Sequence, residues 1–321
     1  MSKLALVREE DVLKYMTRDM AYQAIATAFL EIAKQTSHLF PVTIGRGADE
    51  DSMVAIKSGF LASDQVVGLK VGTYWPNNHQ YQVPNHGSTT LLLDPKTGFP
   101  MALINATKLN GMRTAAANAI ATNLLANPQA RTLLVVGPGH QSHYELLALC
   151  DVRNFARVLI WGRDPRRSTA FIESLSEYRE LCEVAVDLQQ AVKEADVIVT
   201  ATTATEPLFD AEWVQPGTHI SAMGADKKGK QELPTELLDS SRLFADYPKQ
   251  SIEIGEFQHH TTWQNPIVAI GEAIASPEVY RYQNDKITIF DSSGIALQDI
   301  SSAYQIFSQM RKAGTVTWID F

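Results

Sequence analysis

The chain has 321 residues, of which 45% are apolar and 20% charged. At roughly 150 residues per domain that length predicts about two domains, and the apolar share excludes a disordered chain. With 28 basic and 36 acidic residues the formal net charge is −8, which excludes a nucleic-acid binder that relies on a broadly basic surface. It leaves room for a small anionic substrate, which needs only a local basic pocket. Cys150 and Cys182 are too few for a disulfide scaffold, so a reducing cytoplasm is the expected location. The short apolar stretch Leu4-Ala5-Leu6-Val7 runs straight into charge. That is no signal peptide, and no run reaches the roughly 18 apolar residues of a membrane span.

In chain order, Thr17 is the expected N-cap of a helix whose apolar face carries Met20, Ile25, Ala28, Phe29 and Ile32. Residues 41–104 alternate short apolar runs, at 53–56, 66–71 and 89–93, with clusters of Gly, Pro and Asn. Asp94-Pro95-Lys96-Thr97-Gly98 is a turn between two of the strands. This region predicts a helix and an antiparallel or mixed sheet. Residues 107–126 are Ala-rich and free of Pro, hence helical, up to Asn127-Pro128.

The pattern then changes to strands at 132–136, 158–161, 183–186, 197–201 and 219–223, with helices at 142–150, 165–175 and 188–194 between them. Continuous apolar strands alternating with helices predict a doubly wound parallel sheet, the Rossmann arrangement. A further strand at 287–290, a helix at 297–313 and a short strand at 315–319 complete the reading.

The most informative local motif is Leu133-Leu134-Val135-Val136-Gly137-Pro138-Gly139-His140-Gln141-Ser142. A buried strand runs into Gly-x-Gly and then a helix. Gly137 permits the tight turn, Gly139 lets the backbone approach a pyrophosphate, and the helix N-terminus attracts the anion. The next strand ends at Trp161-Gly162-Arg163-Asp164-Pro165-Arg166-Arg167. An acidic side chain at that tip reads the ribose 2′-OH of NAD, whereas an Arg accommodates the 2′-phosphate of NADP. Gly162 occupies the tip and Arg163 follows at once, so NADP(H) is favoured over NAD(H), with Arg163 and Arg167 on the phosphate.

Four charged residues stand in apolar or Gly-rich settings: Lys57, Lys70, Arg113 and Asp226. A Lys within an apolar strand is rarely buried without a partner. Together the three cations predict an anion site, and Asp226 sits just past a parallel strand, where open α/β sheets bind ligands. Neither the His residues nor the two Cys show metal-ligand spacing, so no metal is expected.

The phosphate turn, Arg113-Thr114-Ala115-Ala116-Ala117, the stretch Gly224-Ala225-Asp226-Lys227-Lys228-Gly229-Lys230-Gln231-Glu232-Leu233, and Phe290-Asp291-Ser292-Ser293-Gly294-Ile295-Ala296-Leu297-Gln298-Asp299 resemble the ornithine cyclodeaminase/mu-crystallin family in order and spacing over essentially the whole chain. Residues 68–78, 85–89 and 251–259 resemble its iminosuccinate reductase-like members. The resemblance implies a homodimer in which a Rossmann domain, residues 116–289, is inserted into an α+β substrate and dimerisation domain of residues 1–115 and 290–321. It implies NAD(P)H-dependent reduction of a small imino acid to an L-amino acid. Lys70 and Arg113 would bind the substrate α-carboxylate, and Asp226 would handle the proton at nitrogen, with Lys70 and Asp226 as the catalytic pair. Thr89, Arg113, Thr114, His140, Gln141, Thr202, Met223, Lys230 and Ser292 would join Gly137, Gly139 and Arg163 around the cofactor. Two departures stand out. Pro41-Val42-Thr43-Ile44-Gly45-Arg46 displaces the Arg of an early Pro-x-Arg segment. Lys57 falls near a Glu of the cyclodeaminases and would suit a second substrate carboxylate, as in iminosuccinate. Ornithine or lysine cyclodeamination, or mu-crystallin-like NADP(H)-dependent ligand binding, are the alternative activities.

Overall fold

The computed structural model describes residues 3–48, 50–262 and 264–321. In chain order the elements are β1 (Lys3–Val7), α1 (Glu9–Tyr15), α2 (Arg18–Ala33), β2 (His38–Leu39), β3 (Thr43–Gly45), β4 (Met53–Leu61), β5 (Val66–Tyr74), β6 (His86–Leu93), β7 (Pro100–Asn105) and α3 (Thr107–Leu125). There follow β8 (Thr132–Val136), α4 (His140–Val152), β9 (Arg157–Trp161), α5 (Pro165–Ser174), β10 (Cys182–Val184), α6 (Leu188–Glu194), β11 (Val197–Thr200) and β12 (His219–Ala222). Then come α7 (Thr235–Ser240), β13 (Arg242–Ala245), α8 (Pro248–Ile254), β14 (Ile267–Ala269), α9 (Ile270–Ala275), α10 (Pro277–Tyr280), β15 (Thr288–Asp291), α11 (Ala296–Ala313) and β16 (Thr317–Asp320).

The chain divides into two compact units, 1–113 with 295–321, and 114–294. The sequence placed these breaks after 115 and before 290. Strand β15 belongs to the parallel sheet of the second unit, which carries residues 290–294 with it.

The first unit is a mixed sheet in the order β16-β1-β7-β6-β5-β4-β2, with β3 also on β4. β1 runs parallel to β7, and β4 to β7 form an antiparallel meander. Thr17 caps α2 by accepting from Met20 N at 3.1 Å, which satisfies one of the orphan donors of the first turn. Ala21, Ile25, Ala28 and Phe29 of α2 are buried, and α2 packs on α11, which also covers β4, β5 and β6. The sequence ended the apolar run of β4 at Lys57, but the strand continues to Leu61. The ladder with β5 holds it there, Lys57 opposite Lys70 and Leu61 opposite Val66.

The second unit is a parallel sheet in the order β10-β9-β8-β11-β12-β15-β13-β14. Its central strands are buried on both faces; Leu133 to Val136 are all 0% exposed. This explains their unbroken apolar runs. Successive strands step outward from β8 to β10 and then restart at β11 on the other side of β8. That reversal opens a crevice beyond the C-terminal ends of β8 and β11, where such sheets bind ligands. No helix among the described residues is long and apolar enough to cross a membrane.

Candidate functional site

In the second unit, β8 leads into Gly137, whose φ of +99° suits glycine. A Cβ there would come within 2.7 Å of Thr202 Cγ2. Gly139 is the N-cap of α4, and a Cβ on it would meet nothing within 4 Å. The turn therefore leaves open space at the helix N-terminus, the geometry a pyrophosphate requires. Ser142 is wholly buried, and its hydroxyl donates back to Gly137 O, locking turn to helix.

A cleft of about 870 Å³ extends from this turn. Gly137, Gly139, Gly162, Arg163, Arg167 and Thr202 are among its walls, so residues from both strands at the reversal meet there. Asp164 also borders the cleft, but its carboxylate caps α5, accepting from Arg166 N and from Arg166 Nε and Nη2, each at 3.1 Å. These bonds hold the Asp164 carboxyl below the usual range. The acidic group nearest the strand tip is thus committed to its own helix, and Arg163 and Arg167 supply the cationic wall. This shape and these donors fit a nicotinamide dinucleotide.

His140 lines a second pocket that shares Pro138, Gly139 and Arg167 with the cleft. His140 stacks edgewise on Tyr144, and Gln141 Nε2 donates to the buried Glu145 at 2.6 Å. Ser292 is buried and donates to Asp246 Oδ2 at 3.1 Å. Met223 and Thr114 are buried; Thr89 lies exposed on β6 in the first unit.

Beyond β12, Asp226 has a half-exposed side chain paired with Lys230 Nζ at 2.6 Å. The same ammonium donates to Gly224 O at 2.9 Å. Lys230, expected on the cofactor, here fixes the loop that carries Asp226.

The first unit holds the cations. Lys70 and Arg113 are buried and share one oxygen of one carboxylate, Asp299 Oδ1, at 3.0 Å and 3.1 Å. Arg113 also donates to Gln298 Oε1 at 2.8 Å and Asn110 Oδ1 at 2.6 Å, and Lys70 donates to the same Asn110 oxygen. Burial pushes the Lys70 ammonium down to about 8, with Arg113 and Lys57 adding to the fall and Asp299 opposing it. Burial alone would raise Asp299, yet Arg113 and Lys70 hold it below the usual range. Two cations on one carboxylate leave one positive charge, and Lys57 faces Lys70 across the ladder. Arg46 lies exposed just past β3.

Sequence reasoning missed Asp299, Gln298 and Asn110 as partners. The available signal was the polar pair Gln298-Asp299 inside an otherwise apolar helix start, since buried Lys and Arg demand a counter-ion. Among the described residues no group of three or more His, Cys, Asp or Glu could hold a metal.

A Rossmann-type sheet with a dinucleotide turn, joined in one chain to a unit bearing a buried Lys70–Arg113–Asp299 cluster, defines a class of nicotinamide-dependent proteins. The chain belongs to the ornithine cyclodeaminase/mu-crystallin family, whose model matches residues 3–314. It is 36% identical to the iminosuccinate reductase of Paracoccus denitrificans over 99% of this chain and 100% of that protein. The crystal structure of that reductase with NAD+ superimposes with a TM-score of 0.91 at 35% identity, covering 100% of both chains. An archaeal alanine dehydrogenase, solved as a dimer with bound NAD, gives a TM-score of 0.91 at 29% identity over 100% of both chains. The ketimine reductase mu-crystallin of Mus musculus is 31% identical over 83% of this chain and 82% of that protein.

Proposed function

We propose that the chain is an NAD(P)H-dependent imine reductase acting on a small dicarboxylic imino acid such as iminosuccinate, and giving the L-amino acid. The observation that carries the dicarboxylic reading is the cross-strand pair Lys57 and Lys70 beside Arg113. Side chains directly opposite in an antiparallel pair share one face of the sheet, where the two carboxylates of a dianion can each meet an ammonium. Lys70 and Arg113 hold the α-carboxylate, where the planar fork of Arg suits a carboxylate. Lys57 holds the distal one. Gln298 Nε2, wholly buried and without a hydrogen-bond partner among the described residues, is a further donor beside Arg113.

The turn at Gly137 and Gly139 and the wall of Arg163, Arg167 and Thr202 hold the dinucleotide. Bound nicotinamide supplies the hydride for the imine carbon. Asp226 partners the imine N–H and keeps that nitrogen protonated, which makes the carbon a better hydride acceptor. The identity to iminosuccinate reductase supports this substrate class.

The working unit is a homodimer. The apolar side chains Phe40, Val42, Ile44 and Ile56 are exposed on and beside the short strand β3, the kind of patch a second copy covers. The dimeric alanine dehydrogenase structure supports the same reading.

A coupled assay with NADH and NADPH against iminosuccinate, pyrroline-2-carboxylate, and pyruvate with ammonia or methylamine tests the proposal. Iminosuccinate should give the highest kcat/KM. A cyclic imine as best substrate, or proline formed from ornithine without added reductant, would overturn it.

A further inference from the structure

We infer that Glu232 is a positioning residue for the reaction: its carboxylate ties the cofactor-lining loop after β11 to the Asp226 loop after β12. The inference rests on the reductase reading for the role of Asp226, while its geometry lies wholly within the second unit.

β11 and β12 are parallel neighbours, with Thr200 opposite Ala222. The strand ladder ends with Met223 N to Thr200 O at 2.8 Å. Past that point the loops are joined farther out by Gln231 N to Ala204 O at 3.1 Å, and next to the strand ends by the Glu232 side chain. Its Oε1 accepts from Thr202 N at 2.6 Å and from the Thr202 hydroxyl at 2.8 Å. Its Oε2 accepts from Gly224 N at 2.9 Å and from the Thr200 hydroxyl at 2.7 Å. One carboxylate thus satisfies donors on both loops, two per oxygen. Gly224 is required by this approach, because a Cβ there would lie 2.5 Å from Glu232 Oε1.

The carboxylate is itself held in place. Glu232 is 0% exposed. Its backbone N–H and that of Leu233 donate to Glu256 Oε1, at 2.9 Å and 2.7 Å. Lys230 holds the other backbone group of Gly224, its carbonyl O, and also reaches Asp226. A shift of Glu232 would therefore move Thr202 on the cleft wall and the start of the Asp226 loop together. Errors of about 1 Å in such supports are costly to catalysis.

The test is Glu232→Gln. An amide presents one acceptor and one donor group, so either Thr202 N or Gly224 N loses its acceptor whichever way the side chain turns. In the folded variant, cofactor affinity, read by titrating NADPH fluorescence without substrate, should weaken at least tenfold. kcat should fall at least tenfold, with the KM for the imino acid within twofold of wild type. A purely structural role would lower Tm and leave both cofactor affinity and kcat of the folded protein within twofold, and that result overturns the inference. Should Glu232→Gln fail to fold, Thr200→Val removes one donor from Oε2 in a near-isosteric strand residue. It should weaken NADPH binding about threefold or more, and unchanged binding overturns the inference. The fluorescence titration needs no substrate, so it separates failure here from failure of the imine reductase reading.

Discussion

Lys57 and Lys70 stand directly opposite each other on β4 and β5. Lys70 is anchored to Asp299 at 3.0 Å, so the pair marks a fixed and a second, less buried cation on one face of the sheet. Removing the Lys57 charge should be felt by substrates with a distal carboxylate. Lys57→Met should lower kcat/KM for iminosuccinate about tenfold to a hundredfold, the worth of one hydrogen bond to a charged group. Monocarboxylic imines should lose less than about twofold. Equal loss on both substrates would remove the distal-carboxylate role.

The Lys70 ammonium titrates near 8 because burial, Arg113 and Lys57 disfavour its charge. Below that value it is protonated and carries the charge that the proposed substrate carboxylate needs; above it the charge is lost. KM for the imino acid should therefore rise as pH passes about 8. Asp299 is the group that favours the charged form, so Asp299→Asn should move this limb to lower pH. A limb that stays in place, or moves upward, would show that another group governs it.

Arg163 borders the cleft while the neighbouring Asp164 carboxylate is occupied by Arg166. Arg163→Ala should reduce kcat/KM with NADPH about tenfold, one charge-assisted contact, and change that with NADH by less than about threefold. Steady-state kinetics with both cofactors decide. Parallel losses would place Arg163 off the 2′-phosphate.

Burial and Glu232 push the Glu256 carboxyl up to about 8. An acid with a raised folded pKa keeps its proton in the native state where the unfolded chain has lost it. Its stabilising effect is complete below the ordinary carboxyl pKa and is lost as pH rises from about 4.5 to about 8. At about 1.4 kcal/mol per unit the effect reaches a few kcal/mol. Glu256→Gln can keep the Oε1 acceptor used by both backbone donors. It should flatten the decline of Tm across that interval relative to wild type, and identical slopes would assign the decline elsewhere.

The elements with strong local signals were legible. Thr17 caps α2, the run 132–136 is β8, and the Gly-x-Gly turn opens α4. Strands β13 and β14 were not: their apolar runs, Leu243-Phe244-Ala245 and Ile267-Val268-Ala269, directly follow Arg242 and Pro266. The anion site was legible as a set of residue types and not as an arrangement. That Lys57 meets Lys70 depends on the register of a hairpin whose turn puts Gln65 at φ +47°, a conformation no glycine announced. Asp299 is separated by 229 residues from Lys70 and by 186 from Arg113, and nothing local couples them. Gln141 has a partner that its local position did not announce: one turn further along α4 it donates to Glu145, because residues four apart share a helix face.

β1 is flanked by β7 on one side and β16 on the other, with Lys3 opposite Asp320. A strand that precedes the inserted unit is therefore completed by a strand that follows it. During synthesis residues 114–294 are continuous and can close their own sheet, whereas β1 keeps an open edge until residues 317–320 leave the ribosome. The inserted unit thus holds all the strands it needs in one continuous stretch, whereas the unit around it needs chain from both sides of the insertion before its sheet is complete.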